Sequence, residues 1–110
     1  EALSVELSRF GIRVADTLPG LIDTPLLPDE ARQSAPAEGM FRLVPAMDVA
    51  KAVWSSYHDD PKRLHWFVPE EIGDLDKASA LDPEGTRDRI ASGGPIGAAI
   101  EEAKAASAAE

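Results

Sequence analysis

The residues Pro19-Gly20-Leu21-Ile22-Asp23-Thr24 carry the most chemical information in this sequence. A Pro-Gly pair directly after an apolar stretch makes a rigid turn with an open backbone. Proline presets φ, glycine lets another group come close, and Thr24 offers a hydroxyl a turn later. In open α/β sheets ligands sit beyond the carboxyl ends of strands, which is where this turn falls. By itself, a Pro-Gly after a strand is most often just a turn. The other reactive side chains have less to work with. His58-Asp59-Asp60 has metal-ligating residue types, but adjacent residues point apart and a helix end is solvated. His65 lies in an apolar strand, where a hydrogen-bonded structural histidine is expected. Glu70-Glu71 and Glu101-Glu102 are neighbours rather than spaced acid–base pairs. Ser4, Ser8, Ser55 and Ser56 have no elbow motif or paired base. The absence of cysteine excludes disulfide frameworks, thiolate metal sites and thiol catalysis.

The elements that must position the turn follow from spacing. Leu3, Leu7 and Phe10 fall at i, i+4 and i+7, and Gly11 closes that first helix. No capping side chain precedes it, so the helix reads as entered in mid-stride and the segment as a piece of something longer. Ile12-Arg13-Val14 and Thr17-Leu18 predict a short buried strand running into Pro19-Gly20. A proline-rich loop follows to Val44, with one helical turn near Asp29–Gln33. Pro45 suits the first turn of a helix in which Ala46, Val49, Ala50, Val53, Trp54 and Tyr57 form one stripe, so Tyr57 reads as core. Asp59-Asp60-Pro61 ends it. Leu64–Val68 predicts a second strand, stopped by Pro69. A weak helix is expected within Glu70–Leu81, a turn at Pro83-Glu84-Gly85, one helical turn at Thr86–Ile90 and a linker at Gly93-Gly94-Pro95. Ala98–Glu110 is helical by propensity, and frayed unless it docks. Two strands separated by a helix predict parallel pairing through a crossover, but two strands make a poor sheet alone. That again implies missing sheet, or sheet supplied by another chain.

At 110 residues the chain allows one domain with one modest core. Its net charge of −9 argues against nucleic acid and anionic membranes as partners, because a face for either needs clustered Lys and Arg. The apolar runs are too short for a membrane-spanning helix. A soluble cytoplasmic protein is the expectation.

Read in order, Glu1-Ala2-Leu3-Ser4-Val5-Glu6-Leu7, Gly11-Ile12-Arg13-Val14 and Pro19-Gly20-x-Ile22-x-Thr24 resemble the C-terminal part of the short-chain dehydrogenase/reductase family. Pro45–Trp54 resembles the helix after that family's substrate lid, and Leu64-His65-Trp66-Phe67-Val68-Pro69 its last core strand. The resemblance covers residues 1–70 and, more loosely, 71–92. It implies an α/β fold, the C-terminal portion of a Rossmann-type doubly wound parallel sheet, over residues 1–92, with a lid at about 25–44 and an Ala-rich tail at 93–110. It implies NAD or NADP as cofactor and hydride transfer to or from a small carbonyl or alcohol substrate. Pro19 and Gly20 would shape the turn, the Ile22 backbone would pair with the nicotinamide carboxamide, and the Thr24 hydroxyl would hold the same group. Leu26, Leu27, Met40 and Phe41 would be the apolar residues of the lid; the plain alternative is a loop tucking them into the core.

The departures set limits. Nothing here resembles the family's Gly-rich phosphate loop, since Gly93-Gly94-Pro95-Ile96-Gly97 has no strand before it and a proline inside. The family's catalytic Ser and its Tyr and Lys four apart have no counterpart, because Tyr57, the sole tyrosine, has Pro61 at that spacing. Where many members have Asn beside the strand's valine, Ala15 stands here. The chain alone is therefore expected to be inactive, and homo-oligomerisation is expected through Trp54, Trp66 and Phe67 if the remaining sheet is absent. The rival expectation is a non-catalytic α/β module that assembles with a partner chain.

Overall fold

A computed structural model describes residues 1–109; Glu110, the last residue of the expected tail helix, lies outside the described residues. The chain is a mixed α/β structure with short parallel strands. Helix α1 (Ala2–Ser8) is followed by Gly11, whose φ of 73° reverses the chain as expected of a closing glycine. Strand β1 (Asp16–Pro19) leads to a two-residue strand β2 (Ile22–Asp23), helix α2 (Asp29–Ser34) and a two-residue strand β3 (Val44–Pro45). Helix α3 (Ala46–His58) then crosses over to strand β4 (His65–Val68). Helices α4 (Ile72–Leu81), α5 (Pro83–Ala91) and α6 (Gly94–Ala108) complete the described residues.

β1 and β4 pair in parallel, Asp16 opposite His65 and Pro19 opposite Val68, with α3 as the crossover packed on both strands. The predicted parallel connection is present. The strand itself starts later than expected: Ile12–Val14 is irregular, because β4 offers partners only from Leu64, whose carbonyl accepts the Asp16 N–H at 2.9 Å. A second parallel pair, β2–β3, joins the start of the loop to its end and was not foreseen.

Two further readings are corrected, and one left conditional is decided. Pro83-Glu84-Gly85 is the first turn of α5 rather than a free turn, because Asp82 caps it, its carboxylate accepting the Gly85 N–H at 3.1 Å. The tail helix docks: α6 packs chiefly on α2, burying Ala31, Pro95 and Gly97. The aromatic residues divide differently too. Trp66 is buried at 8% exposure, with its indole N–H donating to the Arg63 carbonyl (3.3 Å) and the Arg63 guanidinium 4.3 Å above its ring. Tyr57, expected in the core, is 68% exposed, and Trp54 is 65% exposed.

The core is small: Leu21, Ala31, Val44, Trp66, Val68 and Ile72, with Thr86 buried beside them. The radius of gyration is 16.7 Å and the longest extent 55 Å, against about 13 Å expected for a compact domain of this length. The accessible surface of 7694 Å² likewise exceeds the roughly 5,900 Å² typical of a monomer of this mass. An unusually large share of the chain's surface faces solvent.

Candidate functional site

The turn after β1 is built from backbone outward. The Gly20 N–H donates to the Val68 carbonyl at 2.7 Å, carrying the β1–β4 ladder one residue past β1. Leu21 is buried, and its carbonyl accepts the Val44 N–H at 2.9 Å. In a parallel ladder alternate residues of one strand bond a given neighbour. With Leu21 bonded to Val44, and Ile22 opposite Val44, the N–H and C=O of Ile22 are turned to the edge of β2 away from β3. One donor and one acceptor in fixed geometry therefore face outward there, the complement of a primary amide.

Thr24 holds the loop by its backbone rather than its side chain. Its carbonyl accepts from the Leu27 N–H (3.1 Å) and from Arg32 Nη2 (3.1 Å), while Arg32 Nη1 pairs with the Asp23 carboxylate. Among the described residues the Thr24 hydroxyl makes no hydrogen bond. Arg32, on α2, thus clamps the helix onto the turn; nine residues from Asp23, it gave no periodic signal in the sequence.

Gly20, Ile22, Thr24, Leu26 and Leu27 line one cleft of about 240 Å³, together with Leu21 and Pro28. Leu26 stands at its mouth, 94% exposed. The rest of the expected site lies elsewhere. Pro19 faces a neighbouring hollow with Leu18 and Ile72. Met40 and Phe41 line a cavity against α4 and α5, so the four lid candidates are not one surface. The β2–β3 bridge pins the two ends of the loop together, with Leu26 and Leu27 lining the cleft after β1 and Met40 and Phe41 the cavity against α4 and α5. Gly20 is also corrected: the group that approaches it is internal. A Cβ there would lie 2.9 Å from Ile72 Cδ1 and 3.3 Å from the Met40 carbonyl oxygen.

Two ion-paired groups tie the surroundings together. Arg42, at the end of the loop, lies 3.0 Å from Glu71, just before α4. A backbone hydrogen bond at Glu71 itself and then Arg42 hold that carboxyl below the ordinary range. His65 is hydrogen-bonded as expected, Nδ1 to Asp16 at 2.7 Å and Nε2 to Glu1 at 3.3 Å. The Asp16 hydrogen bond first, and the Glu1 bond second, raise its pKa above 6.5. A raised histidine pKa adds stability that is fully present below the unfolded value and is lost as pH rises through the folded one. The melting temperature is therefore expected to fall with rising pH above about 6.5, and His65→Gln to flatten that fall. An unchanged slope in the variant would assign the pH dependence to other groups.

Among the described residues no group of three or more His, Asp or Glu converges as a metal site, and no helix is long and apolar enough to cross a membrane. The fold and cleft thus define a mixed α/β protein with parallel strands and a mainly apolar cleft after β1. Compared with protein-family models, curated proteins and solved structures, the chain matches none.

Proposed function

We propose that this chain is the C-terminal segment of an NAD- or NADP-dependent short-chain oxidoreductase, holding the nicotinamide end of the cofactor in the cleft after β1. The single observation that carries the reading is the outward pair of Ile22 N–H and C=O beside the unpartnered Thr24 hydroxyl, at the carboxyl end of a parallel strand. A nicotinamide carboxamide offers an NH₂ and a carbonyl, so Ile22 takes both and Thr24 supplies a further bond. When bound, the cofactor would donate hydride to a carbonyl carbon in its reduced form or accept it from an alcohol carbon in its oxidised form, and this chain's residues orient its ring. The acid–base Tyr–Lys pair and the phosphate loop have no counterpart here, so the pure chain turns over no nicotinamide by itself. The cytoplasm is the proposed compartment, and a homo-oligomer the proposed assembly.

Thr24→Val tests the reading because it keeps shape and removes one hydroxyl. Titration with nicotinamide mononucleotide, followed at the Ile22 and Thr24 amides by NMR, is expected to weaken about two- to twelvefold, the equivalent of one hydrogen bond of about 0.5–1.5 kcal/mol. Melting should stay put, because the loop is held by the Thr24 carbonyl. Unchanged binding with altered melting would remove Thr24 from the site and leave it a loop residue.

The exposed apolar face of α3 favours a second reading, a non-catalytic α/β module assembling with a partner chain. Absence of any nicotinamide response, with association retained, would select it.

A further inference from the structure

We infer that Glu1, His65 and Asp16 form a proton-operated latch, which pins helix α1 to the β1–β4 pair while the His65 ring is doubly protonated and frees it when the ring becomes neutral. Nothing in this device depends on the nicotinamide reading. Its three residues come from separate parts of the chain. Glu1 starts α1, Asp16 starts β1, and His65 stands opposite Asp16 at the start of β4. His65 Nδ1 lies 2.7 Å from Asp16 Oδ1, and Nε2 lies 3.3 Å from Glu1 Oε1. An ionised carboxylate only accepts, so two carboxylates on the two ring nitrogens need both as N–H donors, and only the imidazolium offers both. Neutral imidazole keeps one N–H. The shorter bond, between residues already set opposite each other by the ladder, holds it at Nδ1. Nε2 then presents a bare lone pair to the Glu1 carboxylate, and the contact turns from attraction to repulsion.

Helix α1 has little else to hold it. It buries no residue. Among the described residues, the Glu1–His65 contact is the one hydrogen bond joining residues 1–8 to any residue past Ile12. At seven residues, α1 is well short of the roughly 12–15 that an isolated helix needs in water. The charged groups around the ring do not compete with this pair. β4 packs on α3, which carries Asp48, Lys51 and His58, and on α4, which carries Asp74, Asp76 and Lys77. Among the described residues, Asp16 and Glu1 are nevertheless the only carboxylates within 4.0 Å of the ring nitrogens, and the only charged groups that shift its titration. Arg63, two positions before it, donates to the His65 backbone carbonyl and pairs with Glu70.

NMR order parameters of the Leu3, Val5 and Leu7 amides, followed in the full chain from about pH 5.5 to about 8.5, test the latch above the ordinary carboxylate range. They are expected to fall from about 0.85 toward about 0.6, with the same midpoint as the His65 ring signals. Glu1→Gln is the decisive variant. Its carboxamide oxygen accepts from Nε2–H in the charged ring, and its NH₂ donates to bare Nε2 in the neutral one. Helix α1 should therefore stay ordered across the whole range. Glu1→Ala should leave it mobile throughout, and His65→Gln should abolish the pH dependence. Glu1 is exposed, so its variants leave the core intact, and the Gly20 amide, bonded to the Val68 carbonyl, reports that the β1–β4 pair remains folded. Three results would each overturn the latch. One is an α1 whose order ignores the titration of His65, and another is Glu1→Gln losing order at high pH as the parent does. The third is a fall that persists in His65→Gln, which would belong to His58 or to the α-amino group of Glu1.

Discussion

Sedimentation velocity of the purified chain is expected to show reversible self-association that strengthens with added salt. The accessible surface exceeds that typical of a monomer of this mass by about 1,800 Å², more than twice the roughly 800 Å² each partner covers in a standard interface. Part of that surplus is concentrated on α3, where Val53, Trp54 and Tyr57 lie exposed at i, i+1 and i+4. His58 stacks on Trp54 with ring centroids 3.9 Å apart and meets Tyr57 edge-on at 4.8 Å, so the patch is already ordered. An ordered aromatic patch loses little side-chain entropy on docking. The net charge of −9 opposes association of two copies, and salt screens that repulsion while leaving apolar burial intact. Truncating a buried interface aromatic typically costs 2 kcal/mol or more, about thirtyfold in the dissociation constant. Trp54→Arg should therefore give a monomer at concentrations where the parent chain associates. A species that stays monomeric over a wide concentration range at high salt would show the face to be idle. Association weakened by salt would place the contact among charged residues instead.

Ile72→Ala should cost about 2–5 kcal/mol of folding stability, as large-to-small core substitutions do. Ile72 is buried at the start of α4, and its side chain fills the space beside Gly20, which holds the end of β1. With so small a core, a loss of that size approaches the whole stability of a marginal domain. Gly20→Ala is the reciprocal test. Its new Cβ meets Ile72 Cδ1 at 2.9 Å, so overpacking should cost about 1–3 kcal/mol. Ile72→Val removes that terminal methyl and alone should cost about 0.5–1.5 kcal/mol. In the double variant the two changes should cost less than their sum, because the shortened side chain vacates the space the methyl enters. Denaturant unfolding of the four proteins measures this coupling. Strict additivity would mean that Gly20 is bare for some reason other than Ile72, such as the approach of a ligand.

The sequence by itself determined the local elements whose signals are local. Pro45 and the stripe through Val49 and Val53 specified α3, Asp59-Asp60-Pro61 ended it, and Gly11 turned the chain after α1, because helix periodicity and backbone restrictions act over a few residues. The dense strand formers of 64–68 specified β4, and the helix between two strands specified a parallel crossover. The turn at Pro19-Gly20 and most of its neighbours in the cleft were legible for the same reason.

What depended on distant residues was decided by the tertiary structure alone. Which part of 12–19 became strand was set by where β4 begins, since a strand exists only where a partner supplies hydrogen bonds. The amphipathic stripe of α3 announced an apolar face but could not say what covers it, so Tyr57 emerged exposed while Trp66 found cover beneath Arg63. Met40 and Phe41 came to line a different hollow from Leu26 and Leu27, although all four lie in one loop. Arg32 reached the turn, and α6 reached α2, across separations that no periodicity records. Gly20 is the sharpest case. Its residue type announces that something comes close, and only the packing of α4 names Ile72 as that neighbour, because burial is a property of surfaces that meet in space and not of the residues that precede or follow one another.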